Sequence, residues 1–329
     1  MENPESNGIV LVMGVTGVGK SHFINKLKAG SVQSGNSLES QTSHCQAVQI
    51  YLDSEQKESV TVVDTPGFDD TYRSDGEILS EISSFLAAQY AANVPLFGII
   101  YLHRITDNRM TGSSRKYLQL FRSLCGDHAM GNVILVTTWW DAIHEENLGA
   151  AKLREQELVD KYWAPMQDRG SYATQFDGSR DSAESLVLEL FQGRRSVVLD
   201  IQRELVDKDK EMGSTAAGRQ LGTQLDQDLD YYTDTLAKIE EKMRDASGQK
   251  DRKELLRLRE ERSDVANIIK QLQRSKRRMG ERIGVEMKKR IELEKKRKRD
   301  KVITGVSVLT TVLSITLTVV KFVAMGAIG

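Results

Sequence analysis

Residues Ile9–Leu27 read IVLVMGVTGVGKSHFINKL, and this stretch decides the fold. Ile9–Met13 has the length and the apolar, β-branched character of a strand buried on both faces. Gly14-Val15-Thr16-Gly17-Val18-Gly19-Lys20-Ser21 is a complete GxxxxGKS run, and a helix over Ser21–Leu27 is expected to follow it. Strand, glycine loop and helix in this order make a phosphate cradle. The glycines let successive backbone N–H groups curl round an anion, and the helix N-terminus adds its partial positive charge. Lys20 is placed to reach the β- and γ-phosphates of a nucleoside triphosphate, and Ser21 to ligate Mg²⁺. Gly14, Val15, Thr16, Gly17, Val18, Gly19, Lys20, Ser21 and the next residue, His22, form the expected phosphate-side binding set.

Outward from this loop, further short apolar runs read as strands: Val48–Leu52, Val60–Val63, Phe97–Leu102 and Val133–Val136. Helical segments lie between them, at Glu77–Tyr90, Gly112–Leu124 and Gly149–Tyr162. Strand–helix alternation predicts an α/β sheet with crossover helices. Val48–Leu52 and Val60–Val63 are joined by a short charged turn that reads as a hairpin, so the sheet is expected to be mixed.

Two more motifs fall where a phosphate site needs them. Asp64-Thr65-Pro66-Gly67 ends the third strand. A buried strand that delivers an Asp to the site suits Mg²⁺ held through water by Asp64, and the Gly67 N–H can feel a γ-phosphate. Asp69, Asp70 and Thr71 follow on a loop able to move when that phosphate leaves. Between the two motifs lies SQTSHC, where Thr42 is the residue expected to bring its hydroxyl to Mg²⁺ and its N–H to the γ-phosphate. The catalytic set is therefore Lys20, Thr42 and Gly67, and the metal set Ser21, Thr42 and Asp64.

After the fifth strand the chain reads Thr137-Thr138-Trp139-Trp140-Asp141. An Asp here can accept two N–H bonds from guanine, which adenine cannot offer. The usual form at this place is Asn/Thr-Lys-x-Asp: Thr138 and Asp141 fit, and Trp139 stands where Lys is expected. A flat indole can cover a base by stacking. The alternative is that the tryptophans serve packing and that Asp141 caps a helix. The loop Phe176-Asp177-Gly178-Ser179 ends a short further strand and can touch the base through backbone groups.

With these elements in order, the chain resembles the TRAFAC GTPases, and within them the septin-like branch that contains the GIMAP-type (AIG-type) immunity-associated GTPases. MGVTGVGKSHFINKL and VVDTPGFDDT carry the resemblance, which covers roughly residues 8–191. It implies a Ras-like sheet with GTP and Mg²⁺ at its switch point, and nucleotide-dependent dimerisation across the nucleotide face. C-terminal membrane attachment recurs in that group.

The full chain has 329 residues, with 46 Lys+Arg against 47 Asp+Glu, 4 Pro and 2 Cys. It is too charged for a polytopic membrane protein, and its regular apolar runs exclude disorder as a class. Two cysteines cannot build a disulfide framework or a zinc knuckle, so reduced, cytosolic thiols are expected. Residues 1–190 carry 15 Lys+Arg and 25 Asp+Glu, whereas 191–329 carry 31 and 22. An acidic globular front thus precedes a basic back.

The back reads as long helix from about Asp181. Leu225, Leu229, Tyr232, Leu236, Ile239 and Met243 make one heptad seam, and Leu258, Val265, Leu272 and Met279 a second beyond the break DASGQK. Two seams joined by a short loop favour a helical hairpin over an intermolecular coiled coil. KKRKR (Lys295–Arg299) then precedes Val302–Val320, 19 residues without a charge. As a helix this stretch spans about 28 Å, close to the hydrocarbon thickness of a bilayer. A C-terminal tail anchor is expected, with the basic cluster on the cytosolic side of an intracellular membrane.

The expected organisation is therefore a Ras-like mixed-sheet G domain over 1–190, a helical region over 191–300 and a tail anchor over 301–329. The expected function is a slow GTPase that converts GTP to GDP and phosphate and switches G-domain dimerisation or oligomerisation on a membrane. Phe68 rather than Gln follows DTPG, so no residue is evident to orient the attacking water. Arg73, Arg104 and Arg109 are candidates for a catalytic arginine supplied by a partner protomer. The competing readings are a hydrolysis-deficient GTP-bound scaffold and an ATPase with the same phosphate site. Nucleic acid is not an expected partner, because the basic residues lie on one tail helix without interleaved aromatics.

Overall fold

The computed structural model describes residues 8–30, 44–52, 58–70, 73–193, 195–248 and 252–301. Six strands, β1 (Ile9–Met13), β2 (Gln46–Tyr51), β3 (Ser59–Asp64), β4 (Leu96–Arg104), β5 (Val133–Thr138) and β6 (Tyr172–Gln175), form one sheet in the order β2-β3-β1-β4-β5-β6. Every neighbouring pair is parallel except β2–β3, which is antiparallel, so the sheet is mixed and Ras-like as expected. β2 begins two residues earlier than its apolar run, because pairing with β3 extends from Gln46↔Asp64 to Tyr51↔Ser59 and satisfies the backbone groups of the polar residues too.

The helices of this part are α1 (Lys20–Leu27), α2 (Asp75–Ala91), α3 (Gly112–Cys125), α4 (Leu148–Glu157), the one-turn α5 (Ala164–Gln167) and α6 (Arg180–Gln192). Alternation along β1 shows how the layers are built. Ile9, Leu11 and Met13 join the core beneath α2 and α3, and Val10 and Val12 join the core beneath α1 and α6. A strand with a hydrophobic layer on each face must be apolar at every position, which is why β1 carries no polar alternation. The helix expected over Gly149–Tyr162 is α4 followed by a π-type turn, Leu158–Trp163. The wider turn brings both Leu158 and Trp163 into the core, where Trp163 is fully buried.

The back of the chain contains the short α7 (Asp200–Gln202) and three long helices, α8 (Ala216–Gly248), α9 (Arg252–Arg278) and α10 (Ile283–Lys301). The heptad seams meet in space: Ile239 and Ala246 of α8 bury against Leu258 and Val265 of α9, flanked by Tyr232, Leu236, Met243 and Ile269. Nearer the sheet, Leu221 and Leu225 of α8 join the main core, as do Ile283, Met287 and Ile291 of α10. Among the described residues no helix is long and apolar enough to cross a membrane. The expected anchor, Val302–Val320, lies outside the described residues.

These helices bear on α2, the helix that follows the DTPG loop. Ser74 caps α2 in a reciprocal box with Glu77. Within this first turn, a Cβ at Gly76 would stand 2.7 Å from both Cα and Cβ of Ser275 in α9. Ser80 Oγ donates to Glu281 Oε2 at 2.9 Å, between α9 and α10. Replacing Gly76 by Ala gains up to about 1 kcal/mol of helix propensity. The clash with backbone atoms of α9 outweighs it, since overpacking costs about 1–3 kcal/mol. Gly76→Ala is therefore expected to lower unfolding stability in urea, and an unchanged midpoint would refute the close α2–α9 approach.

Candidate nucleotide site

The glycine loop leaves β1 in a conformation that needs its glycines. Gly14, Gly17 and Gly19 have φ of 146°, 81° and 96°, a region that side chains rarely adopt. A Cβ at Gly14 would also lie 2.5 Å from the carbonyl oxygen of Leu102, so the loop crosses tightly over the end of β4. Gly19 caps α1, and Phe23, Ile24 and Leu27 pin that helix into the core.

Lys20 points back into the loop. Its Nζ donates to the carbonyls of Val15 at 2.9 Å and Gly14 at 3.2 Å. Burial pushes its pKa down to about 8, against the opposing pull of Asp64 and Asp70. Ser21 Oγ donates to Asp64 Oδ2 at 2.8 Å, joining the start of α1 to the end of β3. Asp64 is fully buried, and Thr65 Oγ1 next to it donates to Val12 O at 2.9 Å. A hydroxyl and a buried carboxylate in contact are hard oxygen donors, which suits Mg²⁺. Ser21 would hold the ion directly and Asp64 through water, and the ion would balance charge on the β- and γ-phosphates.

The DTPG loop lies directly on the cradle. Thr16 N–H donates to Phe68 O at 2.8 Å, and Val15 and Phe68 form a parallel bridge. A Cβ at Gly67 would stand 2.6 Å from Thr16 N and 2.7 Å from Lys20 Nζ, so only glycine admits this approach. Phe68 is buried and stacks on Tyr117 of α3, with ring centroids 5.6 Å apart. Its side chain therefore serves the core, while its carbonyl serves the loop. Asp69 takes a left-handed backbone, φ 64°. Thr42 and Thr71 lie outside the described residues.

β5 delivers the residues expected on the base side. Thr138 Oγ1 donates to Val18 O at 2.7 Å, tying the strand to the glycine loop. Trp139 has a left-handed backbone, φ 65° and ψ 32°, and its side chain is 42% exposed. A Cβ at Gly19 would lie 3.4 Å from Trp139 Nε1, so the indole stands beside the cradle, where it was expected to replace a Lys stem. Asp141 is exposed in the turn Trp140–Ala142. It lies close enough to His22 to raise that imidazole's pKa, although burial and Lys26 dominate and lower it. The His22 ring meets Phe176 edge-on at 6.3 Å, so the loop after β6 joins the same rim.

Of the three candidate arginines, Arg104 is the one whose guanidinium is seen beside the cradle. Its Nη1 lies 3.7 Å from the Cβ position of Gly17 in the same chain, and it is ion-paired to Asp107 at 2.6 Å. Arg109 is exposed, and Arg73 reaches the Glu77 carbonyl at the start of α2. Two features escaped the sequence reading. The Phe68 carbonyl closes the loop onto Thr16, and Glu155 of α4 accepts from Thr137 Oγ1 at 2.7 Å behind the base-side turn. Neither carries a motif, because a carbonyl has no sequence signature and Glu155 is an ordinary helix residue 14 positions beyond Asp141.

Thr138→Val keeps the shape of its side chain and deletes the bond to Val18 O. It should cost about 1 kcal/mol of stability, read from denaturant unfolding. An unaltered midpoint would mean that strand and loop are held by packing alone.

The AIG1 family matches residues 8–160. The chain is similar to the crystal structure of Toc33 from Arabidopsis thaliana in complex with Mg²⁺ and GMPPNP, with 17% identity over 59% of this chain and 88% of that one, at a TM-score of 0.45. It is similar also to Era from Aquifex aeolicus bound to GDP and AlF₄⁻, with 16% identity over 66% of this chain and 67% of that one, at a TM-score of 0.40. No curated protein matches the chain. The AIG1 match lies on the part of the chain that folds as a Ras-like P-loop domain.

Proposed function

We propose that this protein binds GTP and GDP with Mg²⁺, hydrolyses GTP slowly to GDP and phosphate, and uses the nucleotide state to switch G-domain dimerisation or further assembly on a membrane. The convergence at the glycine loop carries the reading. Residues from α1, β3 and β5 meet there through Ser21–Asp64 at 2.8 Å and Thr138–Val18 at 2.7 Å, with Trp139 alongside. Lys20 supplies positive charge to the phosphates, and its present acceptors are the loop's own carbonyls. Asp141 on the rim is the acceptor that distinguishes guanine from adenine.

Slow turnover is supported by Phe68. The position after DTPG holds a ring packed on Tyr117, not a side chain able to orient water. Arg104 is the arginine best placed to meet charge developing on a phosphate, in its own protomer or across a dimer. Its pairing with Asp107 is half-exposed, and such pairs are worth about 1 kcal/mol or less, so release toward a phosphate is inexpensive. Residues 302–329 supply the membrane attachment, next to the basic end of α10. The position of Phe68 also favours the second reading, a GTP-loaded scaffold that turns over almost nothing.

Lys20→Ala is expected to abolish affinity for GTP and GDP in the presence of Mg²⁺, measured by calorimetry. Retained affinity would sink the nucleotide reading. Phosphate release per protomer should rise with protein concentration and lose that rise in Arg104→Ala, whereas a scaffold gives a flat, near-zero rate at every concentration. Removal of residues 302–329 should move the protein from the membrane to the soluble fraction of a cell lysate.

A further inference from the structure

Behind the base-side turn runs a hydrogen-bonded chain whose direction is set by a carboxylate. Trp140 Nε1 donates to Thr137 Oγ1 at 3.0 Å. Thr137, fully buried at the end of β5, donates to Glu155 Oε1 at 2.7 Å, nearer than its second acceptor, Thr174 O, at 3.4 Å. Glu155 Oε2 accepts from Gln175 Nε2 of β6 at 2.5 Å. One residue before Glu155, Arg154 Nε donates to Ile105 O at 3.2 Å and docks α4 against the loop after β4.

The polarity of this chain is not free. An indole N–H can only donate, and an ionised carboxylate can only accept. The hydroxyl of Thr137 has one hydrogen. Directed to Glu155, it leaves a lone pair for Trp140, and the charge on the carboxylate strengthens both bonds. Trp140 is the first residue of the turn that carries Asp141; the turn leaves β5 through the left-handed Trp139 and closes on itself through Ala142 N–H to Trp139 O at 3.4 Å and Ile143 N–H to Trp140 O at 3.1 Å. The ring of Trp140 adds a side-chain bond from this turn to Thr137 of β5.

We propose that Glu155, acting through Thr137, is a positioning residue for base selection: it locks Trp140 and thereby holds Asp141 where a guanine edge can donate to it. This rests on the reading of Asp141 as the guanine acceptor. Gln175 steadies the carboxylate from the far side, so α4 and β6, both beyond the motif in the chain, complete the recognition turn. Glu155 itself touches no nucleotide, and its effect is confined to discrimination between bases.

The test uses the full chain and the affinities of GDP and ADP measured with Mg²⁺ present. In Glu155→Ala and in the near-isosteric Thr137→Val, GDP affinity should fall roughly tenfold, the loss expected when a charge-assisted bond is removed, with ADP affinity unchanged. Glu155→Gln retains an acceptor for Thr137 and should keep the guanine preference within about threefold of the parent. A parallel fall for GDP and ADP would show a merely structural role and overturn the inference, as would unchanged GDP affinity in Glu155→Ala. A parent protein that binds both nucleotides equally would instead remove the Asp141 reading itself, and the inference with it, before any variant is compared.

Discussion

A buried ammonium is the constraint around which this structure is organised. Lys20 sits almost entirely out of solvent, held by the carbonyls of Gly14 and Val15 and drawn by Asp64. Removing a charge from water is tolerable only where polar groups replace the lost hydration. The carbonyls of Gly14 and Val15 are therefore turned toward Lys20, within a loop that takes positive φ at Gly14, Gly17 and Gly19. That curl dictates the rest: β1 must end at Met13, α1 must start at once, and β3 must bring Asp64 alongside.

The loop is clamped from two sides by groups that differ in kind. On one side the DTPG segment lays backbone on backbone, Thr16 N–H to Phe68 O, with Gly67 leaving room for Lys20. On the other side a side chain does the work, Thr138 Oγ1 to Val18 O. A clamp made of backbone can be remade when the segment shifts. The β5 clamp belongs to a strand buried on both faces and is fixed with the sheet.

The helical back is attached on the DTPG side, through α2. α9 approaches α2 so closely at Gly76 that no side chain fits, and Glu281 binds Ser80 one turn on. α2 starts just after the segment that lies on the glycine loop, so α9 and α10 pack on the helix that this segment leads into. The outer part of the α8–α9 hairpin has its own small core of Ile239, Ala246, Leu258 and Val265, separate from the sheet. It can project from the domain without drawing on the main core.

Much of this was legible in the sequence because it is local. A glycine loop between an apolar run and a helix, an Asp at a strand end and two heptad seams are patterns that the chain carries in consecutive residues, set by steric limits on φ and by the periods of strand and helix. The alternation of strand and helix likewise settled an α/β sheet, and the short charged turn between β2 and β3 made it mixed. Tertiary structure alone decided how these parts touch. Arg104 stands beside Gly17, Trp139 beside Gly19, and Ser275 against Gly76, at separations of 87, 120 and 199 residues that no window along the chain can connect. Glu155 and Gln175 joined the turn around Asp141 only when β5, α4 and β6 packed together, because a hydrogen bond depends on distance and direction in space, which residue order does not encode.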